Sequence, residues 1–296
     1  PKADEKLIDN ELEERMELAQ QISSTKYIHS NLAVYSLKAY AGDPAVEIGE
    51  YTINQQKDDI LMDIYKRQPD ILCLSCYIWN LDYIEEIVLE IGKLRPDMPI
   101  WLGGPEVSYH AEEMLEQYPF LAGIMKGEGE VTFREIAVYY QNQGNGMEGK
   151  TLEEIHGITY RDADGAVKSN PWRPVMDLSE VDFPYANLKK FENRIIYYES
   201  SRGCPFSCSY CLSSIDKRLR FRNLDLVKKE LAFFLEQKVP QVKFVDRTFN
   251  CKKDHAMAIW KFIAEHDNGV TNFHSEIAAD PITEEEMGRF DTLRPG

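Results

Sequence analysis

Short apolar runs alternate with amphipathic segments between residues 26 and 144, and this alternation predicts βαβ units around a parallel sheet. The predicted strands are Val46–Ile53, Ile71–Leu74, Ile100–Leu102 and Leu121–Met125. The predicted helices are Lys57–Arg67, Leu81–Leu94, Glu112–Tyr118 and Thr132–Tyr140. Ligands of such sheets bind at the carboxyl ends of the strands, so the loops that follow the last three strands are candidate binding loops.

A second alternating region begins at residue 194, after a segment of different character. Residues 141–150 are rich in Gly, Asn and Gln, which indicates a boundary, and the three prolines in 171–190 indicate an extended connector. Between them, Gly157–Tyr160 and Ala166–Lys168 predict a β-hairpin. The later pattern predicts alternating strands and helices at Arg194–Tyr198, Leu224–Gln237, Gln241–Val245, Lys253–His266, Asn272–Ile277 and Thr283–Phe290.

The charge balance argues against several classes of partner. The chain of 296 residues has a formal net charge of −16, which repels the phosphates of nucleic acids and of anionic membrane surfaces. No apolar run approaches the roughly 18 residues of a membrane span, and the acidic N-terminal segment lacks the basic and apolar regions of a signal peptide. We therefore expect a cytoplasmic protein with no nucleic-acid or membrane partner.

Three of the six cysteines lie within eight residues, which in a reducing compartment indicates metal binding rather than a disulfide scaffold. They are Cys204, Cys208 and Cys211, so one loop after the predicted strand Arg194–Tyr198 supplies three thiolates. A zinc site usually closes with four ligands, whereas an iron–sulfur cluster bound by three cysteines leaves one iron free to bind a substrate. A structural zinc site is the alternative interpretation of this loop.

The Cys-x3-Cys-x2-Cys run, with Ser201-Arg202-Gly203 before it and βα units after it, resembles that of the radical S-adenosylmethionine (SAM) superfamily. The resemblance implies a 4Fe–4S cluster on Cys204, Cys208 and Cys211, with SAM bound to the fourth iron. It also implies reductive cleavage of SAM to methionine and a 5′-deoxyadenosyl radical that removes a hydrogen atom from a substrate. An electron donor such as a flavodoxin or a ferredoxin would then be a partner.

The same resemblance makes four other residues candidate SAM contacts, namely Tyr210, Asp246, Thr248 and Glu276. Tyr210 would lie near the adenine. Asp246 and Thr248 follow the second strand of this region, where the superfamily commonly places a polar contact to the SAM amino group, and Glu276 would bind a ribose hydroxyl or an ammonium group. The alternatives are a packing aromatic for Tyr210, an ion pair of Asp246 with Arg247, and a solvated carboxylate for Glu276.

The first region resembles the cobalamin-binding domain that precedes many radical SAM domains. The resemblance is carried by the run Lys26–Ala33 and by three loops, 75–80, 103–108 and 127–130. Their glycines would let the backbone approach a large corrin, and the apolar run from Tyr77 to Trp79 would form a wall against it. The candidate cobalamin contacts are Ser75, Cys76, Tyr77, Trp79, Gly103, Gly104, Pro105, Glu106, Gly127, Glu128 and Gly129. The alternative for each loop, taken alone, is an ordinary tight βα turn.

Two departures from this family affect the expected cofactor site. No Asp-x-His-x-x-Gly run is present, so cobalamin is expected to bind without a protein histidine ligand, and His29 and His110 are interpreted as surface or capping residues. In the family an apolar strand precedes the Lys26–Ala33 run, whereas here Glu5–Ser23 predicts an acidic amphipathic helix. Residues 1–25 are therefore expected to be a non-native leader helix, or the domain is expected to lack its first strand.

The three cysteines outside the loop receive separate interpretations. Cys73 and Cys76 lie three residues apart near a strand, and this odd offset places their side chains on opposite faces. We expect Cys73 to be a small buried residue and Cys76 to face the corrin. Cys251 lies forty residues beyond Cys211 and is expected to pack rather than to bind the cluster.

These observations predict an α/β chain with a Rossmann-like cobalamin-binding domain followed by the first half of a radical SAM partial (β/α)6 barrel. The expected segments are a leader at 1–25, the cobalamin-binding-like domain at 26–144, a linker with a hairpin at 145–193 and the half barrel at 194–296. Because only about three of roughly six βα units are present, we expect part of a longer protein with impaired activity alone.

The expected function is that of a cobalamin-dependent radical SAM enzyme that methylates an unactivated carbon of an unidentified substrate. The alternatives are a non-methylating radical SAM enzyme of rearrangement or oxidoreductase type, and a non-catalytic iron–sulfur or zinc-binding module.

Overall fold

The computed structural model describes residues 29–43, 45–214 and 218–279. The predicted helices Glu5–Ser23 and Thr283–Phe290 lie outside these ranges. The chain divides into two compact units. Of the described residues, the Rossmann-like unit comprises Ala33–Met176 and Glu180–Pro184, and the cysteine-loop unit comprises residues 29–32, 177–179 and 185–279.

The Rossmann-like unit is built on one mixed sheet. Its strands are β1 (Leu72–Ser75), β2 (Ile100–Gly103), β3 (Leu121–Met125), β4 (Ile158–Arg161) and β5 (Val167–Ser169). They follow this order across the sheet, where β1, β2 and β3 pair in parallel and β4 and β5 pair antiparallel. The helices are α1 (Leu32–Ala41), α2 (Lys57–Arg67), α3 (Leu81–Leu94), α4 (Ala111–Gln117) and α5 (Glu130–Asn145), with a 3₁₀ helix at Leu152–Glu154.

The strand β2, in the middle of the three parallel strands, is buried on both of its faces. Ile100, Trp101 and Leu102 are all buried, because both faces of the strand are covered. One face packs against α3, which turns its predicted apolar stripe of Ile84, Ile87, Val88 and Ile91 inward. On the other face the Trp101 indole Nε1 donates to the Tyr140 hydroxyl at 3.0 Å, so the one polar atom of that side chain is satisfied.

The predicted strand Val46–Ile53 is wrong, since these residues form no strand in the structure. Their exposure partly alternates as it would in a strand, but side chains rather than a backbone ladder hold the segment. The Tyr35 hydroxyl donates to Glu50 Oε2 at 2.9 Å, and the Tyr51 hydroxyl donates to Asp63 Oδ2 at 2.5 Å. Helix α1 is an element that the sequence pattern did not predict.

The segment predicted as a boundary and linker belongs largely to the Rossmann-like unit. Helix α5 continues to Asn145 and ends at Gly146, whose φ of 64° gives the left-handed cap that favours glycine. The hairpin β4–β5 pairs with β3 through Gly123↔Tyr160 and Met125↔Ile158. The hairpin therefore covers the edge that β3 would otherwise expose.

The cysteine-loop unit contains a parallel sheet of β6 (Ile196–Tyr198), β9 (Gln241–Phe244) and β10 (Asn272–His274), with β9 between the other two. A separate antiparallel ladder pairs β7 (Ser201–Arg202) with β8 (Arg220–Phe221). The helices are α6 (Leu224–Glu236) and α7 (Lys253–Glu265). Short 3₁₀ helices occur at Leu178–Glu180, Leu188–Phe191, Leu212–Ser214 and Phe249–Cys251.

The edge strand β6 is joined by the N-terminal segment that the sequence assigned to the cobalamin-binding region. His29 forms a parallel bridge with Ile195, and the Ser30 backbone N–H donates to the Ile195 carbonyl at 3.2 Å. The Ser30 hydroxyl donates to the same carbonyl at 3.0 Å. Residues 29 and 30 therefore pack with the cysteine-loop unit.

A buried ion pair joins β8, α6 and β6. Arg222 Nη2 donates to Glu230 Oε1 at 2.5 Å, and the Tyr198 hydroxyl donates to Glu230 Oε2 at 2.6 Å. Arg222 Nη1 also donates to the Leu178 carbonyl at 2.6 Å. Burial raises the pKa of Tyr198 well above its ordinary value, so this hydroxyl remains a donor.

The α/β class expected from the sequence is confirmed. None of the helices in the described ranges has both the length and the apolar character that a bilayer crossing requires.

Candidate functional site

The cysteine loop leaves the sheet at the carboxyl end of β6 and is closed at its base by the β7–β8 ladder. Gly203 lies between β7 and Cys204 with φ of 100°, a conformation that favours glycine. A Cβ at this position would lie 2.7 Å from the Arg218 carbonyl oxygen. The base of the loop therefore requires glycine for both its backbone angle and its close packing.

The three cysteines of the loop differ in their surroundings. Cys204 is buried, Cys211 is half-buried and Cys208 is exposed, and none of these three described cysteines is in a disulfide. A turn relates the last two, because the Cys211 backbone N–H donates to the Cys208 carbonyl at 3.1 Å. Among the described residues, no three His, Cys, Asp or Glu side chains are placed so that they could hold a single metal ion. As a donor set, the three cysteines of this loop match the ligands of an iron–sulfur cluster with one open iron.

Asp246 follows β9, and its carboxylate is directed at the start of the cysteine loop. Asp246 Oδ1 accepts from the backbone N–H groups of Ser200 and Ser201, both at 2.8 Å, and Oδ2 accepts from the Ser200 hydroxyl at 2.9 Å. The side chain is only 1% exposed. The structure thus places the predicted SAM contact Asp246 beneath the cysteine loop, where its bonds are to Ser200 and Ser201, and Arg247 is exposed rather than bonded to it.

Two titratable groups are buried at the base of the loop. Burial raises the pKa of Asp246 to about 7, although the donors on Ser200 and Ser201 act in the opposite direction. His255 Nε2 lies 3.4 Å from the Ser200 hydroxyl oxygen, and burial, assisted by Lys252, lowers the pKa of His255 to about 4. His255 is therefore neutral at pH 7 and can share a hydrogen bond with the hydroxyl that also faces Asp246.

The other predicted SAM residues occupy three different environments. Thr248 is buried, and its Oγ1 lies 3.7 Å from Cys204 Sγ, so it contacts a predicted cluster ligand. Tyr210 is 91% exposed, which does not match the packing alternative and leaves its ring face available to a ligand. Glu276 forms an ion pair with Lys243 of β9 at 3.1 Å and is exposed.

Two ties between the loops after β9 and β10 were missed by the sequence analysis. The Phe249 backbone N–H donates to the Glu276 carbonyl at 2.9 Å. The Asn250 side chain pairs with the Ala278 backbone, donating to its carbonyl and accepting from its N–H, both at 2.9 Å. The amide group supplies the donor and the acceptor for these two bonds, but the partner lies 28 positions away and gives no local signal.

Three loops follow β1, β2 and β3 at the carboxyl edge of the Rossmann-like sheet, as predicted. Asn80 closes the first loop, because its Oδ1 accepts from the Tyr77 N–H at 2.7 Å and its Nδ2 donates to the Ser75 carbonyl at 3.0 Å. Ser108 joins the second and third loops. Its hydroxyl donates to the Gly104 carbonyl at 2.8 Å and accepts from the Gly127 N–H at 3.2 Å.

Gly104 allows the first two loops to approach each other closely. Its φ is 114°, and a Cβ there would lie 2.3 Å from the Cys76 carbonyl oxygen. Gly103 ends β2 and its carbonyl accepts from the Cys76 N–H at 2.7 Å. Pro105 and Glu106 are half-buried. Glu128 Oε2 accepts from the Met176 N–H at 3.2 Å, and Gly129 precedes the first residue of α5.

The expectation that Cys76 faces a corrin is wrong. Cys76 is fully buried in the core with Ile84 and Ile87, while Cys73 packs on the opposite face near Trp101. The predicted separation of the two cysteines onto opposite faces is confirmed. Burial raises the pKa of each thiol to about 12, so neither is a thiolate at neutral pH.

Exposed aromatic and apolar side chains mark the same edge. Tyr77 and Trp79 stack with their ring centroids 4.5 Å apart, and Trp79 is 64% exposed beside Ile78 at 77%. A second aromatic pair, Tyr109 and Trp172, has centroids 5.5 Å apart, and the Lys126 ammonium lies 5.4 Å from the Trp172 ring centroid. These exposed ring faces suit the flat apolar surface of a large cofactor. Trp172 was missed because it lies in the predicted connector.

Neither candidate histidine has the surroundings of an axial ligand. His29 Nδ1 lies 2.6 Å from the Tyr197 hydroxyl, and His110 Nδ1 lies 3.5 Å from Glu113 Oε2 within the first turn of α4. Both histidines are exposed, as the sequence suggested, and only the contact of His110 is local in sequence.

Comparisons with known proteins agree with this two-part arrangement. Residues 21–137 match the family model of the B12 binding domain. The uncharacterized methyltransferase PH0819 of Pyrococcus horikoshii is 29% identical over 212 residues, covering 68% of this chain and 44% of that protein. The cobalamin-dependent radical SAM methyltransferase TokK of Streptomyces tokunonensis is 26% identical over 194 residues, covering 62% of this chain and 28% of that protein.

A solved structure extends the similarity across both units. OxsB, a cobalamin-dependent S-adenosylmethionine radical enzyme solved with aqua-cobalamin and S-adenosylmethionine bound, matches with a TM-score of 0.69 and 23% identity. The match covers 89% of this chain and 39% of that one. The chain spans less than half the length of each of these three proteins.

The described residues share the fold of the matching part of OxsB, a cobalamin-dependent radical SAM enzyme, and residues 21–137 match the B12-binding domain model. The resemblance inferred from the sequence is thereby confirmed. Within that class, the two sequence relatives described above carry the name methyltransferase.

Proposed function

We propose that this chain is the cofactor-binding part of a cobalamin-dependent radical SAM enzyme that methylates an unactivated carbon. The observation that carries the proposal is the loop of Cys204, Cys208 and Cys211, which brings three cysteines to the carboxyl end of a parallel strand. It occurs in the same chain as the B12-binding domain. The location that we propose, the cytoplasm, would keep these thiols reduced.

Each group of residues has a separate task in this proposal. Cys204, Cys208 and Cys211 hold the cluster, and Tyr210 offers an exposed ring to the adenine of SAM. The Lys243–Glu276 pair offers charges of both signs for the ends of the SAM methionyl group. When bound, the cluster with SAM supplies a hydrogen-abstracting radical and cobalamin supplies a transferable methyl group.

On the Rossmann-like unit, the exposed aromatic edge binds the corrin. Trp79 and Ile78 provide an apolar surface for the ring. The close contact between Gly104 and Cys76, which requires glycine, holds the first two loops together and leaves room above them for a large planar group. The neighbourhoods of His29 and His110 support cobalamin without a histidine ligand from this part of the chain.

Anaerobic iron–sulfur reconstitution, with and without hydroxocobalamin, tests the proposal on the chain as it exists. After desalting we expect about four irons with equivalent sulfide and one cobalt per chain, together with a visible spectrum that bleaches in air. Replacing Cys208 by Ala should remove the cluster, whereas Cys251→Ala, a matched change at a half-buried cysteine outside the loop, should retain it. Tightly bound zinc without iron would instead support the zinc-binding alternative.

A second candidate function is a radical SAM reaction without methyl transfer, because the structural relative OxsB is described as a radical enzyme and not as a methyltransferase. Product analysis separates the two candidates once a substrate is available to an enzyme containing this chain. Methylation gives S-adenosylhomocysteine alongside 5′-deoxyadenosine, whereas the non-methylating reaction gives 5′-deoxyadenosine without it. The electron donor that we propose is a flavodoxin or a ferredoxin, tested by replacing chemical reductant with each protein in turn.

A further inference from the structure

Thr248 stands apart from the other predicted SAM residues because it contacts a cysteine of the loop. Its Oγ1 lies 3.7 Å from Cys204 Sγ, within the range of a hydrogen bond to sulfur. Both side chains are buried, so water does not compete strongly for either atom. The contact joins the loop after β9 to the first cysteine of the cysteine loop.

We propose that Thr248 is a positioning residue whose hydroxyl donates a hydrogen bond to the Cys204 thiolate and raises the reduction potential of the cluster. The inference rests on the proposed function, since it requires a cluster on Cys204. Hydrogen bonds to cluster sulfurs are one of the factors that set iron–sulfur potentials. Uptake of one electron adds one negative charge to the cluster, and a donor aimed at a ligand sulfur stabilises that more negative state.

The local structure anchors the backbone that carries this hydroxyl. Thr248 is held by its own backbone, because the Cys251 N–H donates to the Thr248 carbonyl at 3.1 Å at the start of the 3₁₀ helix Phe249–Cys251. The neighbouring Phe249 and Asn250 are tied to Glu276 and Ala278. The hydroxyl that contacts Cys204 is therefore carried by a backbone segment that is anchored to the loop after β10.

Three variants separate the hydroxyl from the shape of the side chain. Thr248→Val removes the hydroxyl with little change in volume, Thr248→Ala removes it in case valine packs poorly, and Thr248→Ser retains it. Thr271→Val is the matched control, because Thr271 is a buried threonine of the same unit whose Oγ1 accepts from Asn268 Nδ2 at 2.9 Å rather than contacting a cysteine.

The experiment is a redox titration of the reconstituted chain, followed by electron paramagnetic resonance, with dithionite as the source of the electron. At a fixed potential the reduced-to-oxidised ratio of the cluster should fall about tenfold in Thr248→Val and Thr248→Ala, a shift of about 59 mV to lower potential. Thr248→Ser and Thr271→Val should stay within about twofold of the parent chain. An unchanged potential in both hydroxyl-free variants, or an equal fall in Thr248→Ser, would overturn the inference.

A measurement on the parent chain alone keeps the inference open to refutation if the variants assemble poorly. Resonance Raman spectra of its oxidised cluster should show an iron–thiolate stretch that shifts when H₂O is replaced by D₂O, because the hydroxyl proton exchanges. The absence of any shift would overturn the inference while leaving the proposed function intact. Failure of the parent chain to assemble a cluster, seen in its iron and sulfide content, would overturn both.

Discussion

Asp246 provides the sharpest test of how the cysteine loop is held. Its carboxylate accepts from the N–H groups of Ser200 and Ser201 and from the Ser200 hydroxyl, and all three donors are buried. In Asp246→Ala each donor loses its acceptor, at a cost of about 1–3 kcal/mol per buried group. Since water can enter the space left by the carboxylate, we take the low end of that sum, about 3 kcal/mol.

Hydrogen–deuterium exchange of the peptide containing Ser200 and Ser201 measures this cost where it arises. A loss of about 3 kcal/mol corresponds to roughly a hundredfold faster exchange of these two amides. Asp246→Asn should lose only about 1 kcal/mol, because its amide oxygen can still accept from both N–H groups while its NH₂ donates to the Ser200 hydroxyl. Asp225→Asn, a change at an exposed carboxylate in the first turn of α6, should leave both amides unchanged.

For the parent chain compared with Asp246→Asn, the burial of Asp246 predicts a pH-dependent difference in stability with a definite sign. Burial raises the pKa of Asp246 to about 7 in the folded chain, so between about pH 7 and pH 4 the folded state binds a proton that the unfolded state releases. The free energy of unfolding of the parent chain, relative to Asp246→Asn, should therefore increase as the pH falls through this window and decrease as the pH rises through 7. His255 acts in the opposite direction, but it is present in both chains and cancels in the difference.

Two results would refute this reasoning. Exchange at Ser200 and Ser201 that is equal in the parent chain and Asp246→Ala would mean that the carboxylate does not hold these amides. A difference between the parent chain and Asp246→Asn that stays constant from pH 8 to pH 5 would mean that Asp246 titrates at its ordinary pKa despite its burial.

Three further outcomes are expected from the geometry. Gly104→Ala should destabilise the Rossmann-like unit by more than about 2 kcal/mol in urea unfolding and weaken cobalamin retention, because its Cβ would lie 2.3 Å from the Cys76 carbonyl oxygen. The control is Gly144→Ala in α5, where a Cβ would meet nothing within 4 Å. This change should be neutral or should stabilise the unit by up to about 1 kcal/mol. Glu230→Gln should lower the free energy of unfolding by about 3–5 kcal/mol, because it leaves the buried Arg222 charge unpaired. Hydrogen–deuterium exchange of the α6 amides measures this loss, and a loss under about 1 kcal/mol would contradict the prediction. Because burial lowers the pKa of His255 to about 4, the cysteine-loop unit should lose stability as the pH falls from about 6.5 towards 4, and this acid loss should disappear in His255→Gln, as measured by unfolding at several pH values.

The features that the sequence predicted well are encoded within a few neighbouring residues. The cysteine loop was predicted from the two spacings that separate its three cysteines, and α2 and α3 were predicted from apolar stripes that repeat with the helical period. The strand Leu121–Met125 was predicted with its observed bounds because its apolar run is short and is followed directly by a glycine-rich loop. These local patterns predicted the structure correctly because the tertiary environment favours the same conformation as the local sequence.

The features that were predicted wrongly depend on contacts between distant parts of the chain. Val46–Ile53 has a strand-like pattern but pairs with no strand among the described residues, and its side chains bond to Tyr35 and Asp63 instead. For Cys76 the offset from Cys73 predicted opposite faces correctly, but periodicity alone does not tell which face is covered. In the structure α3 packs over the face of the sheet that carries Cys76 and thereby buries this side chain.

The loop after β9 shows why polar residues at a strand end are ambiguous as ligand contacts. Asp246, Thr248 and Asn250 are all buried and alternate along this loop, and they contact Ser200 and Ser201, Cys204, and Ala278 respectively. Each of them therefore has a structural partner before any cofactor arrives, and the loop can hold the cysteine segment in place without SAM. Of the candidate SAM residues, only Tyr210 and Glu276 are exposed, and Glu276 is paired with Lys243, whereas the buried Thr248 contacts Cys204.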